Sequence, residues 1–413
     1  MINKFFFIKG GSETYYFSLK ELLEKNGHTV IDFSMQDDRN FESEYSNFFV
    51  KKIDYNIKQC WFSKVKNGLK IIYSFEAKRK LEKLIKQTKP DIAHLHIFQH
   101  QLSLSILDIL KKYNIPIVYT AHDLKMICPN YKMLTHEKIC EKCKEQKYFN
   151  CLKNKCIKDS VVKSAIAMSE AYINKWRKAY DKIDYIITPS KFYMDKFIEF
   201  GINKNRLMHI SNFLNTNRIE YDILSKQEYF LYFGRLSEEK GIITLIKAMK
   251  DIDSTLKIVG AGPLKDYIER YIKDNSCNNI EILGFKEGKG LNTIIANAKA
   301  VIIPSEWYEN GPYSGIEALK LKRPLIGSNL GGIPELIEGN GYIFKHGNIE
   351  DLHQKLKNFQ ELFEQEIEEM QEKSYEIFQK RYTDKVHYDK LIEVYKKICR
   401  NQIDDKNIVK TTF

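Results

Sequence analysis

Two glutamates eight positions apart, Glu309 and Glu317, bracket the turn-forming string Asn310-Gly311-Pro312-Tyr313. Ionised carboxylates only accept hydrogen bonds, through two oxygens, which suits the adjacent hydroxyls of a sugar or a ribose. The loop between them, with the N–H groups of Gly311 to Tyr313, runs into a helix-like segment, Ser314 to Lys320. That makes a place for an anion. A second pair is cationic. Arg235 and Lys240 lie five residues apart in Gly234-Arg235-Leu236-Ser237-Glu238-Glu239-Lys240-Gly241, between a strand-like and a helix-like segment. A guanidinium fork beside an ammonium point charge suits a diphosphate. His122, in Ala121-His122-Asp123, follows the apolar run Ile115–Thr120, and parallel sheets bind ligands beyond such carboxyl ends. Cys140, Cys143, Cys151 and Cys156 follow with spacing C-x2-C-x7-C-x4-C, and Cys128 lies upstream. Four thiols within seventeen residues suggest a tetrahedral structural zinc, because an intracellular chain rarely keeps disulfides. Blander readings stay open: a strand–turn–helix with surface glutamates, a surface basic pair, and reduced packing cysteines.

The elements that must position these groups alternate strand and helix patterns, the mark of parallel sheets with helices on both faces. Strands are expected at Phe5–Ile8, Thr29–Phe33, Ile92–Leu95, Ile115–Thr120, Tyr185–Thr188 and Leu207–Ser211. In the second half they are expected at Tyr229–Phe233, Leu256–Val259, Ile280–Leu283, Ala300–Pro304, Leu325–Ile326 and Tyr342–Phe344. Gly10-Gly11 separates the first strand from a helix carrying Tyr16, Leu19, Leu22 and Leu23, a turn that lets a ligand approach the backbone. Ser190 is placed to cap a helix from Lys191. Asn212–Ser225 is polar and aperiodic and reads as a linker. The expected domains are thus 1–212 and 213–381, with a last helix near 382–400.

At 413 residues, with 43% hydrophobic and 13% aromatic content, the chain can bury two cores. Its net charge of +12 favours anionic partners, whether phosphorylated ligands or anionic lipid. No nucleic-acid motif is present, so nucleic acid is not an expected partner. No apolar run approaches the ~18–20 residues of a membrane span, and Phe5–Ile8 is too short for a signal peptide core, so a cytoplasmic protein is expected. Residues 57–90 hold ten Lys/Arg against two acidic residues, interleaved with Trp61, Phe62, Ile71, Ile72, Tyr73 and Phe75. That mixture suits the inner face of an anionic membrane, or equally a solvated helix with its aromatics in the core.

The E-x7-E spacing, the following Glu317-Ala318-Leu319 and Gly331-Gly332-Ile333-Pro334-Glu335-Leu336 resemble the donor site of family 4 retaining glycosyltransferases. The Gly234–Gly241 string and Val259-Gly260-Ala261-Gly262-Pro263 are similar to the same family's blocks. Thr120–Pro129 resembles a polysaccharide-building subgroup. The resemblance implies a GT-B fold, two Rossmann-like doubly wound domains facing across a cleft. It implies transfer of a sugar from a nucleoside-diphosphate sugar to a glycan or lipid-linked acceptor, with no cofactor required. It further implies that Arg235 and Lys240 hold the donor phosphates, Glu309 the sugar and Glu317 the ribose. Gly10 and Gly11 would lie near the diphosphate, Gly284 and Phe285 would border the base, and His122 would sit at the sugar. The family's usual Phe-Gly after the first glutamate is Asn310-Gly311 here, which leaves sugar specificity open. Two rival readings are an NAD-dependent dehydrogenase using Gly260 and Gly262, and a non-catalytic, zinc-stapled membrane scaffold.

Overall fold

The computed structural model describes residues 1–53, 71–216, 220–223 and 229–410, with side chains followed to residue 399. In the first half, β1 (Ala93–Leu95), β2 (Ile117–Thr120), β5 (Tyr185–Thr188) and β6 (Leu207–His209) form a parallel sheet in that spatial order. Between β2 and β5 the short strands β3 (Leu134–Thr135) and β4 (Lys138–Ile139) make a separate antiparallel hairpin. Beyond β1 the sheet continues as single parallel bridges, Ile2 with Leu95 and Phe33, then Met35 with Val50.

The first strand is therefore not at Phe5–Ile8. The Ile2 N–H donates to the His94 carbonyl at 2.9 Å, and Lys4 N–H donates to the Ile97 carbonyl at 2.7 Å, after which the chain leaves the ladder. Phe6 is buried in a small satellite cluster with Tyr16 and Phe49, while Ile8 is exposed. A run of four apolar residues looks like a strand wherever it is buried. Thr29–Phe33 likewise contributes one bridge, at Phe33, rather than a strand.

The second half holds six parallel strands, β7 (Tyr229–Phe233), β8 (Thr255–Val259), β9 (Ile280–Gly284), β10 (Ala300–Ile303), β11 (Leu325–Ser328) and β12 (Gly341–Phe344). Their order is β12-β11-β10-β7-β8-β9, so the winding reverses between β7 and β10. At β7, β10 and β11 every residue is buried, as expected for parallel strands covered on both faces. Leu231, Val301 and Ile303 enter one apolar cluster, and Phe230, Ile302 and Ile326 the other. The fold class is thus α/β, two doubly wound domains.

The last helix, Asp384–Lys410, returns to the first domain. Its Leu391, Val394 and Ile398 pack with Tyr15, Leu19, Leu22, Leu23, Val118 and Ile187. At the crossing, Leu214 N–H donates to the Tyr382 carbonyl at 2.9 Å, so the two connections run side by side. Of the basic, aromatic stretch, the part up to residue 70, with Lys64, Lys66 and Lys70, lies outside the described residues. The remainder forms the helix Phe75–Thr88, which buries Ala77, Leu81, Leu84 and Ile85 and leaves Phe75 exposed. Among the described residues no helix is long and apolar enough to cross a membrane.

Gly262 tests how tightly the β8 turn is built. A Cβ there would fall 2.2 Å from the Leu236 carbonyl oxygen, a backbone atom that cannot step aside, whereas one at Gly290 would meet nothing within 4 Å. Gly262→Ala is expected to destabilise by roughly 1–3 kcal/mol in a denaturant melt, as overpacking does. Gly290→Ala, inside the helix Gly288–Ala296, should be neutral or stabilising by up to about 1 kcal/mol. Equal melts for the two variants would contradict the packing described.

Candidate active site

The chemistry-bearing residues of the second domain gather where β7 and β10 end, on either side of the winding reversal. Open parallel sheets leave a crevice there, because the chains after these two strands turn to opposite faces. After β7, Ser237–Gly241 forms a single tight turn over Glu238–Lys240. Gly241 (φ 67°) lies so close to the chain after β10 that a Cβ would sit 1.9 Å from the Pro304 carbonyl oxygen. That approach delivers Lys240 to the β10 loop. Its ammonium donates to Glu309 Oε1 at 2.6 Å and stands 5.4 Å over the Trp307 ring. Ser305 Oγ donates to the same Oε1 at 2.7 Å. Glu309 is buried, and both bonds end on one oxygen, which leaves Oε2 for a ligand.

Backbone from the next strand holds this carboxylate in place. Gly332 N–H donates to the Glu309 carbonyl at 2.7 Å, and a Cβ on Gly331 would lie 2.4 Å from both Glu309 N and O. The Gly-Gly turn is thus a cradle for Glu309. Gly260 and Gly262 press in the same manner on the Gly234 and Leu236 carbonyls. They pack one loop under another and do not form a dinucleotide turn.

Asn310 joins the two domains. Its amide Nδ2 donates to the Ala121 carbonyl at 2.7 Å, and its Oδ1 accepts from Ser190 Oγ at 3.1 Å. Asn212 Nδ2 donates to the Gly311 carbonyl at 2.9 Å. The loop thereby lies against the residue preceding His122. A Cβ added to Gly11 would lie 3.3 Å from the Tyr313 ring, so the Gly10-Gly11 turn meets the same loop. Pro312 directly precedes the helix Tyr313–Lys320, which therefore starts at this junction. Glu335 reaches across as well, accepting from the Lys191 and Phe192 N–H groups at 3.0 and 2.9 Å and capping the helix Lys191–Glu199. Ser190 caps that helix too, as expected, accepting from Tyr193 N–H at 3.2 Å.

On the first domain's side His122 is half-buried in a stack of rings. Its Nε2 and His96 Nδ1 are 3.1 Å apart, the rings are stacked at 5.4 Å, and Tyr15 lies edge-on at 4.9 Å. Burial lowers the His122 pKa to about 3, so the imidazole is neutral at physiological pH. His94 is fixed between Tyr395 and Thr120 at 2.6 and 2.7 Å. His96 Nε2 is buried without a partner among the described residues.

Arg235 is exposed at the crevice mouth. Lys9, on the turn before Gly10, has a lowered pKa: burial is the main cause, Glu13 opposes it, and Arg39 and Arg235 add to it. Cations from both domains therefore crowd one opening. Glu317 is half-buried, and desolvation raises its pKa to about 7 against the weaker pull of Lys320. Gly284 (φ 68°) and the exposed Phe285 end β9, two strands beyond β7 and apart from the Glu309 loop.

The structure thus brings together Lys240, Glu309, Asn310, Gly311, Tyr313, Gly11 and the chain at His122. Lys9, His96 and Asn212 join them, and so does Ser190, which was expected only as a helix cap. Lys9 directly precedes the Gly10-Gly11 turn, and His96 directly follows the strand Ala93–Leu95. Asn212 and Ser190 gave no signal of a contact so distant in sequence. As for the zinc site, Cys140, Cys143, Cys151 and Cys156 line one cavity together with Cys128. Among the described residues no three groups stand ready to hold a metal ion.

Two doubly wound domains, with opposed loops meeting over a crevice, define the GT-B class. Residues 9–218 match the model of Glycosyltransferase Family 4, and residues 215–376 match Glycosyl transferases group 1. The chain belongs to Glycosyltransferase Family 4, which replaces the dehydrogenase and scaffold readings. An uncharacterized glycosyltransferase of Methanocaldococcus jannaschii, MJ1178, is 30% identical over 42% of this chain, and the match spans about half of that relative, 48%. An uncharacterized 42.6 kDa protein in the cps region of Klebsiella pneumoniae is 24% identical over 83% of this chain and 87% of its own. Among solved structures, a glycosyltransferase from Rickettsia africae superposes with a TM-score of 0.67 at 18% identity, over 97% of this chain and 98% of its own. Anabaena HepE in complex with UDP gives 0.64 at 16% identity, over 96% and 98%.

Glu317 gives the site a pH signature. Its folded pKa lies above that of an unfolded glutamate, so the folded state holds the proton more tightly. Stability from this group is complete below about pH 4.5 and is lost as pH rises through about 7. Glu317→Gln should therefore be more stable than the parent at pH 8, by on the order of 1 kcal/mol, and no more stable at pH 4. A gap between the two proteins that does not change from pH 4 to pH 8 would refute the assignment.

Proposed function

We propose that the crevice binds a nucleoside-diphosphate sugar and transfers its sugar, with retention of configuration, to a glycan or lipid-linked acceptor. The observation that carries this reading is Lys240 held on Glu309 Oε1 at the winding reversal, with exposed Arg235 on the same turn and the next residue, Asn310, bonded to Ala121 beside His122. Arg235 and Lys240 supply charge for a diphosphate, and the amides of Gly311 to Tyr313 add donors at a helix start. Glu309 Oε2 accepts from sugar hydroxyls. Glu317 accepts from the ribose, and Phe285 is available to a base.

In the transfer, the bond from the anomeric carbon to the diphosphate oxygen breaks. The acceptor oxygen bonds to that carbon on the same face, and its proton passes to the departing phosphate oxygen. Arg235 and Lys240 hold the negative charge that develops on the diphosphate. A neutral His122 positions the sugar by hydrogen bonding rather than acting as an acid. Support for a UDP-type donor comes from HepE, a fold relative whose structures hold UDP and UDP-glucose. Support for polysaccharide work comes from partial relatives named for amylovoran and colanic acid biosynthesis.

Arg235→Ala and Lys240→Ala are each expected to slow transfer on the order of 10²-fold, as loss of an electrostatic stabiliser does. A screen of UDP-, GDP- and ADP-sugars by thermal shift should find one donor that raises the melting temperature of the parent and much less that of Arg235→Ala. Near-parental turnover in a folded Arg235→Ala protein would remove the donor assignment.

The segment 57–90 adds a second expectation, peripheral docking at the inner membrane face. Each Lys or Arg near an anionic leaflet contributes roughly 1 kcal/mol, screened over about a Debye length. The protein should co-sediment with anionic vesicles, be released by salt, and bind less when Lys64, Lys66 and Lys70 become Glu. Recovery in the supernatant under every condition would favour a soluble acceptor.

A further inference from the structure

The segment between β2 and the helix Val161–Trp176 is poorly equipped to hold its own shape. Its regular structure amounts to the β3–β4 hairpin, one short turn and the five-residue helix Phe149–Lys153. Of the seventeen non-glycine residues with positive φ in the described chain, nine fall between Tyr131 and Asp159. Each such residue costs free energy that surrounding structure must repay, and little apolar packing is available here. Yet the segment is placed with purpose, because it reaches the donor loop of the other domain. Glu141, between Cys140 and Cys143, accepts from Tyr308 Oη at 2.6 Å and pairs with Lys196 at 2.6 Å. Tyr308 immediately precedes Glu309. Lys132 pairs with Glu239, beside Lys240, at 3.1 Å.

Five of the chain's eight cysteines, Cys128, Cys140, Cys143, Cys151 and Cys156, line one cavity of about 10 Å³ inside this segment. All five are free thiols. Between residues 138 and 158 the sequence holds seven lysines and two glutamates. Four thiolates around a divalent ion leave a net charge of −2, which that lysine excess would offset. We propose that Cys140, Cys143, Cys151 and Cys156 bind one structural zinc. The zinc staples this segment so that Glu141 and Lys132 hold the loops carrying Glu309 and Lys240. The thiols must first rotate into the cavity, since no three groups stand ready as they are. Each thiol that binds gives up its proton to water, so loading one Zn²⁺ releases four protons. The site would be closed, with no open position for substrate, and its role structural.

Metal content tests this without reference to activity, so it can fail while the transferase reading stands. Full-length protein purified without added zinc or chelator should contain about one zinc per chain. Exchange for Co²⁺ should produce thiolate-to-metal charge-transfer absorption. Cys143→Ser should lower bound zinc at least tenfold, and Cys277→Ser, outside the segment, should retain it. Should Cys143→Ser fail to fold, zinc and cobalt stoichiometry of the parent decides alone. Zinc below a tenth of an equivalent would overturn the proposal, as would fewer than eight free thiols in denatured, metal-free protein, which would indicate disulfides.

Discussion

The pair formed by Lys240 and Glu309 is the constraint around which the second domain is arranged. A carboxylate as buried as Glu309 is costly unless matched by a cation and hydrogen bonds, and truncating one partner of such a pair leaves the other uncompensated. The partner comes from a different strand, so the match depends on the β7 and β10 loops approaching closely. Gly241 against Pro304, Ser305 at the same carboxylate oxygen and the Gly331-Gly332 cradle all serve that approach. The pair is also poised to change. A diphosphate beside Lys240 competes with Glu309 for the ammonium, and sugar hydroxyls can then satisfy the carboxylate that the lysine leaves.

The contacts between the domains are of another kind. Many are polar: Asn310, Asn212, Ser190 and Glu335 bond to backbone or hydroxyl groups, Tyr308 Oη donates to Glu141, and Lys132 pairs with Glu239. Polar contacts exchange with water at small net cost, so they set the register of two bodies without welding them. Apolar contact accompanies them, since Tyr308 and Leu330 pack into the first domain's core, and the final helix adds Leu391, Val394 and Ile398 on the same domain.

Much of this was legible in sequence, and the reasons differ by element. The strands of the second domain stood out because parallel strands covered on both faces are continuous apolar runs bounded by glycine. Tyr229–Phe233 falls where those runs predict, as does Tyr185–Thr188 in the first domain. The first strand was misplaced because aromatic burial in a satellite cluster looks identical to burial in a sheet; the residue that makes the ladder, Ile2, sits beside polar Asn3. Loop residues such as Lys240 and Glu309 were legible because their spacing is local. Their bond to each other was not, and neither was the span of Asn310 to Ala121. Such contacts arise only after two sheets have stacked their switch points, and no periodicity within either segment records them.

His122 sits where a general base would be sought, yet burial among His96, Tyr15 and neighbouring rings holds its pKa near 3, according to the same desolvation that makes Glu317 slow to ionise. A base of that strength takes little share of a proton from a sugar hydroxyl at neutral pH. Its neutral form, however, both donates and accepts, and one nitrogen is already engaged with His96 Nδ1. A neutral ring held in a stack of rings is suited to orientation, a role that needs geometry and no charge. Cations from both domains, Lys9 and Arg235, stand at the opening, and Lys240 is held on Glu309. If the donor is a nucleoside-diphosphate sugar, a departing phosphate oxygen, made basic as the bond to the sugar breaks, would be the better acceptor for the incoming hydroxyl's proton. A neutral imidazole together with cations for the leaving group would suit a transfer in which the leaving group is also the base.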